Sequence, residues 1–295
     1  MTPPAQVPVP HELAELEDIA RRALAEDLGQ AGDLTSKRIV RAELPGRATI
    51  IAKSAGMLAG TGIATAVFRA VDPALSLTWK LTDGAALVPG GTVAELSGRA
   101  RAILAGERVG LNFLQQLSGV ATTTAAFVAA AAPYGVKILC TRKTVPGLRR
   151  LQREAVAAGG GTPHRAGLYD AILIKSTHIA LAGGIAEAVR RARAQPVLPV
   201  EVEVRTPAEL EEALEANAET ILLDNAGPEA IAEAVAATRG RALLEISGGV
   251  TLANVAAIAA LAPDAISVGA LTHSAPACDL ALRIAGPVGA GPRGA

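Results

Sequence analysis

Apolar and polar positions follow two different rhythms along this chain. Residues 11–27 place Leu13, Ile19, Ala20 and Leu24 near helical spacing and predict an amphipathic helix. Residues 26–36, EDLGQAGDLTS, mix three acids with turn formers and read as a loop. Across 46–105, short β-like runs (RATIIAKSAGMLAG, LSLTWKL, GTVAELSGRA) alternate with Gly and Pro turns, interrupted by the helical run TGIATAVFRAV. That is an α+β region, and 107–131 read as one or two long helices leading out of it.

From residue 136 the rhythm changes. Six short apolar runs, VKILCTRK, AILIKST, VEVEVR, TILLDN, LLEISGG and AISVGAL, are separated by amphipathic stretches such as IAEAVRRARA and PAELEEALEAN. Near-continuous apolar strands alternating with helices predict a parallel sheet covered by helices. Either an open doubly wound sheet or a (β/α) barrel fits that count. The strand ends favour the barrel. Arg142 with Lys143, Lys175, Glu203, Asp224, the Ser247–Gly248–Gly249 turn and Gly269–Ala270 each close a strand. Residues from six successive strands converge on one point only around a ring, at the carboxyl ends where α/β folds carry their chemistry.

Composition narrows this further. Half the residues are hydrophobic and 2% are aromatic, so the core is built from Ala, Val, Leu and Ile. Lys and Arg balance Asp and Glu at 28 each, which argues against nucleic-acid or membrane electrostatics. The N-terminus lacks a basic stretch followed by an apolar run, and 121–132 are too short to span a bilayer, so no membrane role is expected. Two cysteines, Cys140 and Cys278, make no disulfide framework and suit a reducing cytoplasm. The Gly/Pro-rich tail from Gly286 reads as disordered.

Against this neutral background, residues 140–179 concentrate Arg142, Lys143, His164, Arg165 and Lys175 around the triple glycine Gly159, Gly160, Gly161. A cation cluster of this kind calls for a small, multiply anionic ligand, since Arg offers a planar fork and Lys a point charge. The glycines read as a flexible loop that lets backbone approach the ligand. His178 and His273 near strand ends suit capping or packing equally well. In VEVEV, Glu201 and Glu203 point to the same side, and an acid lower in the barrel must be paired. Glu203 is nearer the strand end and is the site candidate. Glu203 and Asp224 could bind a divalent metal, ribose hydroxyls or both, or serve as counter-charge for Lys143 and Lys175. The SGG and GA turns suit a phosphate site made of backbone N–H groups. Neither cysteine has the setting of a nucleophile, and no Cys/His metal spacing or Walker loop occurs.

These segments together resemble the quinolinate phosphoribosyltransferases. EDLGQAGDLTS, ERVGLNFLQQLSGVATTT, TRKTVPGLR, AVAAGGGTPHRAGLYDAILIK, VEVEV, ILLDN, ISGGVTLANV and ISVGALTHS follow that family in order. The resemblance implies an N-terminal α/β sandwich domain over residues 1–115 with a connecting helix. It implies an open-sided (β/α) barrel of TIM-like type over 116–275, and a C-terminal helix within 276–295 returning to the first domain. It implies transfer of phosphoribosyl from 5-phosphoribosyl-1-pyrophosphate to quinolinate with decarboxylation, giving nicotinate mononucleotide, with Mg²⁺ as cofactor. By carry-over, Arg142, His164, Arg165 and Lys175 surround the quinolinate carboxylates, and Arg108 reaches the site from the partner subunit of a homodimer. Lys143, Ser247, Gly248, Gly249, Gly269 and Ala270 hold phosphates, Glu203 and Asp224 hold ribose hydroxyls and the metal, and Lys143, Glu203 and Asp224 carry the catalysis.

Three places depart from the family pattern. Cys140 stands for Asp, Pro163 for Asn, and Ser176–Thr177 for Asp-Asn. All adjoin expected ligands and bear on second-shell bonding. A molybdate-transport-associated relative, a nicotinate phosphoribosyltransferase and a non-catalytic ligand-binding relative are the competing readings. The retained Arg108, RKT, Lys175 and LLDN weigh against the first.

Overall fold

The computed structural model describes residues 10–194 and 198–285, so the tail from Gly286 lies outside the described residues. The chain divides into two compact units, 1–119 with 276–295, and 120–275. The expected helix over 11–27 is α1 (Pro10–Leu28). The expected loop after it is partly helical. Asp33 accepts from the Ser36 N–H at 2.9 Å and caps a short α2 (Leu34–Ile39).

Alternating burial then builds β1 (Pro45–Ala52), β2 (Gly56–Met57), α3 (Thr61–Val71), β3 (Ser76–Trp79), β4 (Ala86–Leu87) and β5 (Thr92–Arg99). Residues 100–131 form one helix, α4 (Ala100–Ala131), and the division between units falls within it.

The second unit supplies β6 (Lys137–Leu139), α5 (Arg149–Ala158), β7 (Ile172–Ile174), α6 (Ser176–Ala182), α7 (Ile185–Ala192) and β8 (Val200–Val204). It continues with α8 (Pro207–Glu215), β9 (Thr220–Asp224), α9 (Pro228–Thr238), β10 (Leu243–Ser247), α10 (Val255–Ala259), β11 (Ala265–Ser267) and α11 (Ala270–His273). The six strands are parallel in the order β6-β11-β10-β9-β8-β7. Thr162 adds a parallel bridge to Leu139 on the outer side of β6. No pairing joins that edge to β7 among the described residues, so the barrel is open there.

Residues 280–284 form a strand, β12 (Leu280–Ile284), where a helix was expected. It pairs antiparallel with β1, giving the sheet β12-β1-β5-β3 in the first unit. The physical reason is the otherwise bare edge of β1, whose backbone groups need a partner. Leu280 joins Ile50, Phe68, Val93, Ile103 and Leu114 in this unit's core.

In the barrel, β8 is buried along its whole length. Period-two alternation turns Val200, Val202 and Val204 one way and Glu201 and Glu203 the other. Register sets Glu203 beside Leu222, Leu222 beside Glu245, and Asp224 beside Ser247. The triple glycine is not the flexible loop expected. A Cβ on buried Gly159 would stand 2.3 Å from the Ala121 carbonyl oxygen and 2.8 Å from Thr124 Cβ. Its ordinary φ of −79° shows that the demand is for space, not for conformational freedom. Gly161 is crowded in the same way, 2.6 Å from Thr124 Cγ2. The glycines let the end of α5 lie against the last turns of α4. Gly159→Ala therefore costs about 1–3 kcal/mol of overpacking, read as a lowered urea midpoint with unchanged slope.

Among the described residues no helix is long and apolar enough to cross a membrane. No disulfide joins the buried Cys140 and Cys278.

Candidate active site

The carboxyl ends of the barrel strands enclose a cavity of about 650 Å³. Ten of the residues expected at the site line it: Arg142, Lys143, His164, Arg165, Lys175, Glu203, Asp224, Ser247, Gly248 and Gly249. Three do not. Arg108 is exposed on α4 in the other unit. Gly269 and Ala270 sit behind the lining, where a Cβ on Gly269 would stand 3.0 Å from Lys143 Cδ. The glycine makes room for the lysine stem.

The loop carrying Arg142 and Lys143 is tied from below. Buried Gln152 on α5 accepts from the Val145 N–H at 2.9 Å and donates to the Thr272 carbonyl at 2.9 Å. The Thr272 hydroxyl donates to the Lys143 carbonyl at 2.7 Å. Five lining cations, Arg142, Lys143, Arg165, Lys175 and Arg205, face three lining acids, Glu203, Asp224 and Glu245. The two guanidiniums at 142 and 165 strain this balance most. Burial, then the charge of Arg142, lowers Arg165 from its usual value. The Arg142 Nε is buried with no hydrogen-bond partner. An anion held by both guanidiniums would offset that like charge.

Glu203, buried, is bracketed by cations. Its Oε2 lies 3.4 Å from Lys175 Nζ and its Oε1 3.4 Å from Arg205. Asp224 accepts from the Asn225 side chain at 2.9 Å through Oδ2. Next to it, Gly248 has φ of 91°, and a Cβ there would stand 2.2 Å from Asn225 Oδ1. Only glycine fits this turn, which opens its backbone toward the cavity.

His164 stands between two buried acids, its Nε2 3.3 Å from Glu201 and 3.4 Å from Glu245. The expectation that the lower glutamate of VEVEV must be paired is met by this histidine. Hydrogen bonds to Glu201, then to Glu245, pull the imidazole up to about 10. Burial, and the charge of Glu245, raise Glu201 as well. The Arg165 N–H, donated to Nδ1 at 2.8 Å, opposes the rise of the ring, because it occupies the lone pair that a second ring proton would take. The Nε2 edge of the ring faces the two carboxylates.

The four buried side-chain atoms without a partner among the described residues are Arg142 Nε, Glu201 Oε1, Glu245 Oε1 and Ser267 Oγ. All belong to this barrel, and such orphans concentrate where function demands them. Glu245, Arg205, Asn225 and Ser267 were not anticipated. Glu245 shares a face with Ser247 in LLEIS, and that alternation could have marked it. His178 and His273 take local roles. His178 Nδ1 accepts the Lys175 N–H at 2.9 Å, and His273 pairs with Ser274 at 2.6 Å.

A bound Mg²⁺ needs oxygen ligands and keeps waters and phosphates of its own. Asp224 and Glu203 offer oxygens on the cavity wall, so the donor set fits. Among the described residues, however, the metal-compatible trio with ligand atoms within 4.8 Å is His164, Glu201 and Glu245, and it excludes both. Of the departures, Cys140 is fully buried at the end of β6, its N–H donating to the Thr162 carbonyl at 3.3 Å. Ser176 and Thr177 line the cavity.

Two family models cover the chain, those of the quinolinate phosphoribosyl transferase N-terminal domain over residues 33–118 and C-terminal domain over 120–283. A probable nicotinate-nucleotide pyrophosphorylase (carboxylating) of Bacillus subtilis is 41% identical, over 92% of this chain and 93% of that protein. A quinolinate phosphoribosyltransferase (decarboxylating) of Nicotiana tabacum is 39% identical, over 94% of this chain and 84% of its own. The solved nicotinate-nucleotide pyrophosphorylase of Francisella tularensis superposes with a TM-score of 0.90 at 40% identity, covering 95% of this chain and 98% of that one.

Lys143, Gly248 and Gly249 line the same cavity. Inorganic phosphate at ten times its Kd should add about 1.4 kcal/mol of stability, read as a raised Tm. Lys143→Ala should remove most of that gain.

Proposed function

The chain belongs to the quinolinate phosphoribosyltransferase family, and from that premise we propose that the barrel cavity is where quinolinate meets 5-phosphoribosyl-1-pyrophosphate. The activity is the decarboxylating transfer of phosphoribosyl to quinolinate, which yields nicotinate mononucleotide, pyrophosphate and CO₂ for NAD biosynthesis. The observation that carries the placement is the buried, unpartnered Arg142 Nε beside a cavity that Arg142 and Arg165 both line, with Arg165 lowered by burial and then by the charge of Arg142. A dianionic pyridine dicarboxylate offsets that like charge, and Lys175 beside the pair adds a third cation.

The ring nitrogen then attacks C1 of the ribose as the C1–oxygen bond to pyrophosphate breaks. Positive charge develops on the ribose ring, and Glu203 and Asp224 on the cavity wall stabilise it. Lys143 and the Gly248–Gly249 turn hold the phosphates. Mg²⁺, held by Asp224 and Glu203 oxygens, would neutralise charge on the departing pyrophosphate. With its nitrogen ribosylated the ring is cationic. It accepts the electron pair left when the 2-carboxylate departs as CO₂, and a proton then fills that carbon. No covalent intermediate on the protein is required.

We place the reaction in the cytoplasm, which suits two buried cysteines without a disulfide. We further assign the working form to a homodimer in which the exposed Arg108 of one subunit serves the other's barrel.

Incubation with quinolinate, 5-phosphoribosyl-1-pyrophosphate and Mg²⁺ should give nicotinate mononucleotide, and nicotinate in place of quinolinate should give none. A charge-assisted bond contributes about 1.5–3 kcal/mol, so Arg142→Ala and Arg165→Ala should each lose at least about tenfold in kcat/KM while staying folded. Near-normal kinetics for both would refute the clamp. Mixing Arg108→Ala with Arg165→Ala subunits should restore about a quarter of wild-type activity, the share of intact sites after random reassortment. No recovery would remove Arg108 from the partner's site.

A further inference from the structure

Arg205 lies just past the end of β8, and its backbone is pinned. Its N–H donates to Glu209 Oε2 at 2.7 Å, and the Thr206 N–H donates to the same oxygen at 3.3 Å. The Thr206 hydroxyl accepts the Glu209 N–H at 3.2 Å in return, a reciprocal cap that Pro207 extends into α8. Position 205 is thereby fixed between a buried strand and a capped helix. Its side chain is freer. Among the described residues the guanidinium pairs only with Glu203, Nη2 to Oε1 at 3.4 Å, and the side chain is 56% exposed. It lines the barrel cavity.

Glu203 is held loosely in turn. Its other oxygen stands 3.4 Å from Lys175 Nζ. A charge-assisted N–H···O bond settles at about 2.7–2.9 Å. Arg193–Glu219 and Arg241–Glu211 reach 2.9 Å elsewhere on this unit. Two long contacts therefore balance the charge of Glu203 without closing either oxygen to a ligand. A ribose hydroxyl at Glu203 can displace Arg205, and the freed guanidinium stays at the cavity because its backbone cannot leave.

Strand order says where that cation turns. The Gly248–Gly249 turn after β10, Asp224 at the end of β9, Glu203 and Arg205 at β8, and Lys175 after β7 follow one another round the cavity. Glu203 and Asp224, read as ribose ligands, take the middle. The sugar carries one phosphoryl group on C5 and the pyrophosphate on C1, at its opposite ends. With the 5-phosphate on the backbone N–H groups of the glycine turn, C1 and its pyrophosphate fall on the side of β8 and β7.

We propose that Arg205 is a pyrophosphate ligand, held in reserve by Glu203 until the ribose takes that carboxylate. As the C1–oxygen bond breaks, its electron pair passes to the leaving oxygen, and the planar fork meets the charge that develops there. The proposal rests on the phosphoribosyl-transfer reading of the cavity. It adds a residue one position beyond VEVEV, outside every segment that carries the family resemblance.

Calorimetry on the full chain, with inorganic pyrophosphate and ribose 5-phosphate titrated separately and without metal, tests it. Arg205→Gln keeps a donor for Glu203 and removes the charge. It should bind pyrophosphate at least about tenfold more weakly and ribose 5-phosphate within about twofold of wild type. Arg205→Lys should recover part of the lost affinity, since the charge returns without the fork. Unchanged pyrophosphate affinity in Arg205→Gln, equal losses for both ligands, or no pyrophosphate binding by the wild type would each overturn the proposal.

Kinetics give a second readout. Arg205→Gln should raise the KM for 5-phosphoribosyl-1-pyrophosphate and the inhibition constant of product pyrophosphate together, by at least about tenfold, and leave the quinolinate KM within about twofold. A matching rise in the quinolinate KM would reduce Arg205 to a support of the whole cavity. If the wild type formed no nicotinate mononucleotide, the transfer reading would fall, and the two titrations would still decide whether Arg205 holds pyrophosphate.

Discussion

The gathering of five cations and three acids on the wall of one barrel cavity is the constraint around which this site is built. Concentrated like charge is costly to hold in place, and the loops that carry Arg142 and Arg165 are tied down. Gln152 and Thr272 fix the first loop, and the His164 cluster with Arg149, Arg153 and Asp170 fixes the second. A site prepared in this way spends little of its binding energy on reorganisation, which is the condition for strong electrostatic stabilisation.

The strands make such a site possible. β8 reads VEVEV, and period-two alternation buries valines under the helices while directing two carboxylates into the barrel. The two acids then divide according to depth. Glu201 meets His164, and Glu203 meets Lys175 and Arg205.

Much of this was legible in the sequence. The parallel strands, the ring of polar strand ends and ten of the lining residues follow from local rules of periodicity and strand-end chemistry. What was hidden depended on contacts between distant segments. The triple glycine reads locally as a flexible loop, but Gly159 is needed because the Ala121 carbonyl lies where a Cβ would be. Residues 280–284 took strand form to fill the edge of β1, a demand set more than two hundred residues earlier in the chain. Gly269 marked a strand end correctly, yet it serves the stem of Lys143. Glu245 was overlooked because a single acid in an apolar run gives no hint that His164 and Glu201 converge on it.

Equilibrium binding, by calorimetry on the ligand-free protein, is the most direct measurement of whether the paired guanidiniums await a dianion. Quinolinate and nicotinate share the ring and one carboxylate, so their difference isolates the second negative charge. Quinolinate should bind at least about tenfold tighter than nicotinate, the share of one charge-assisted contact, and the gap should close in Arg142→Ala. Equal affinity for the two acids in the wild-type protein would contradict it.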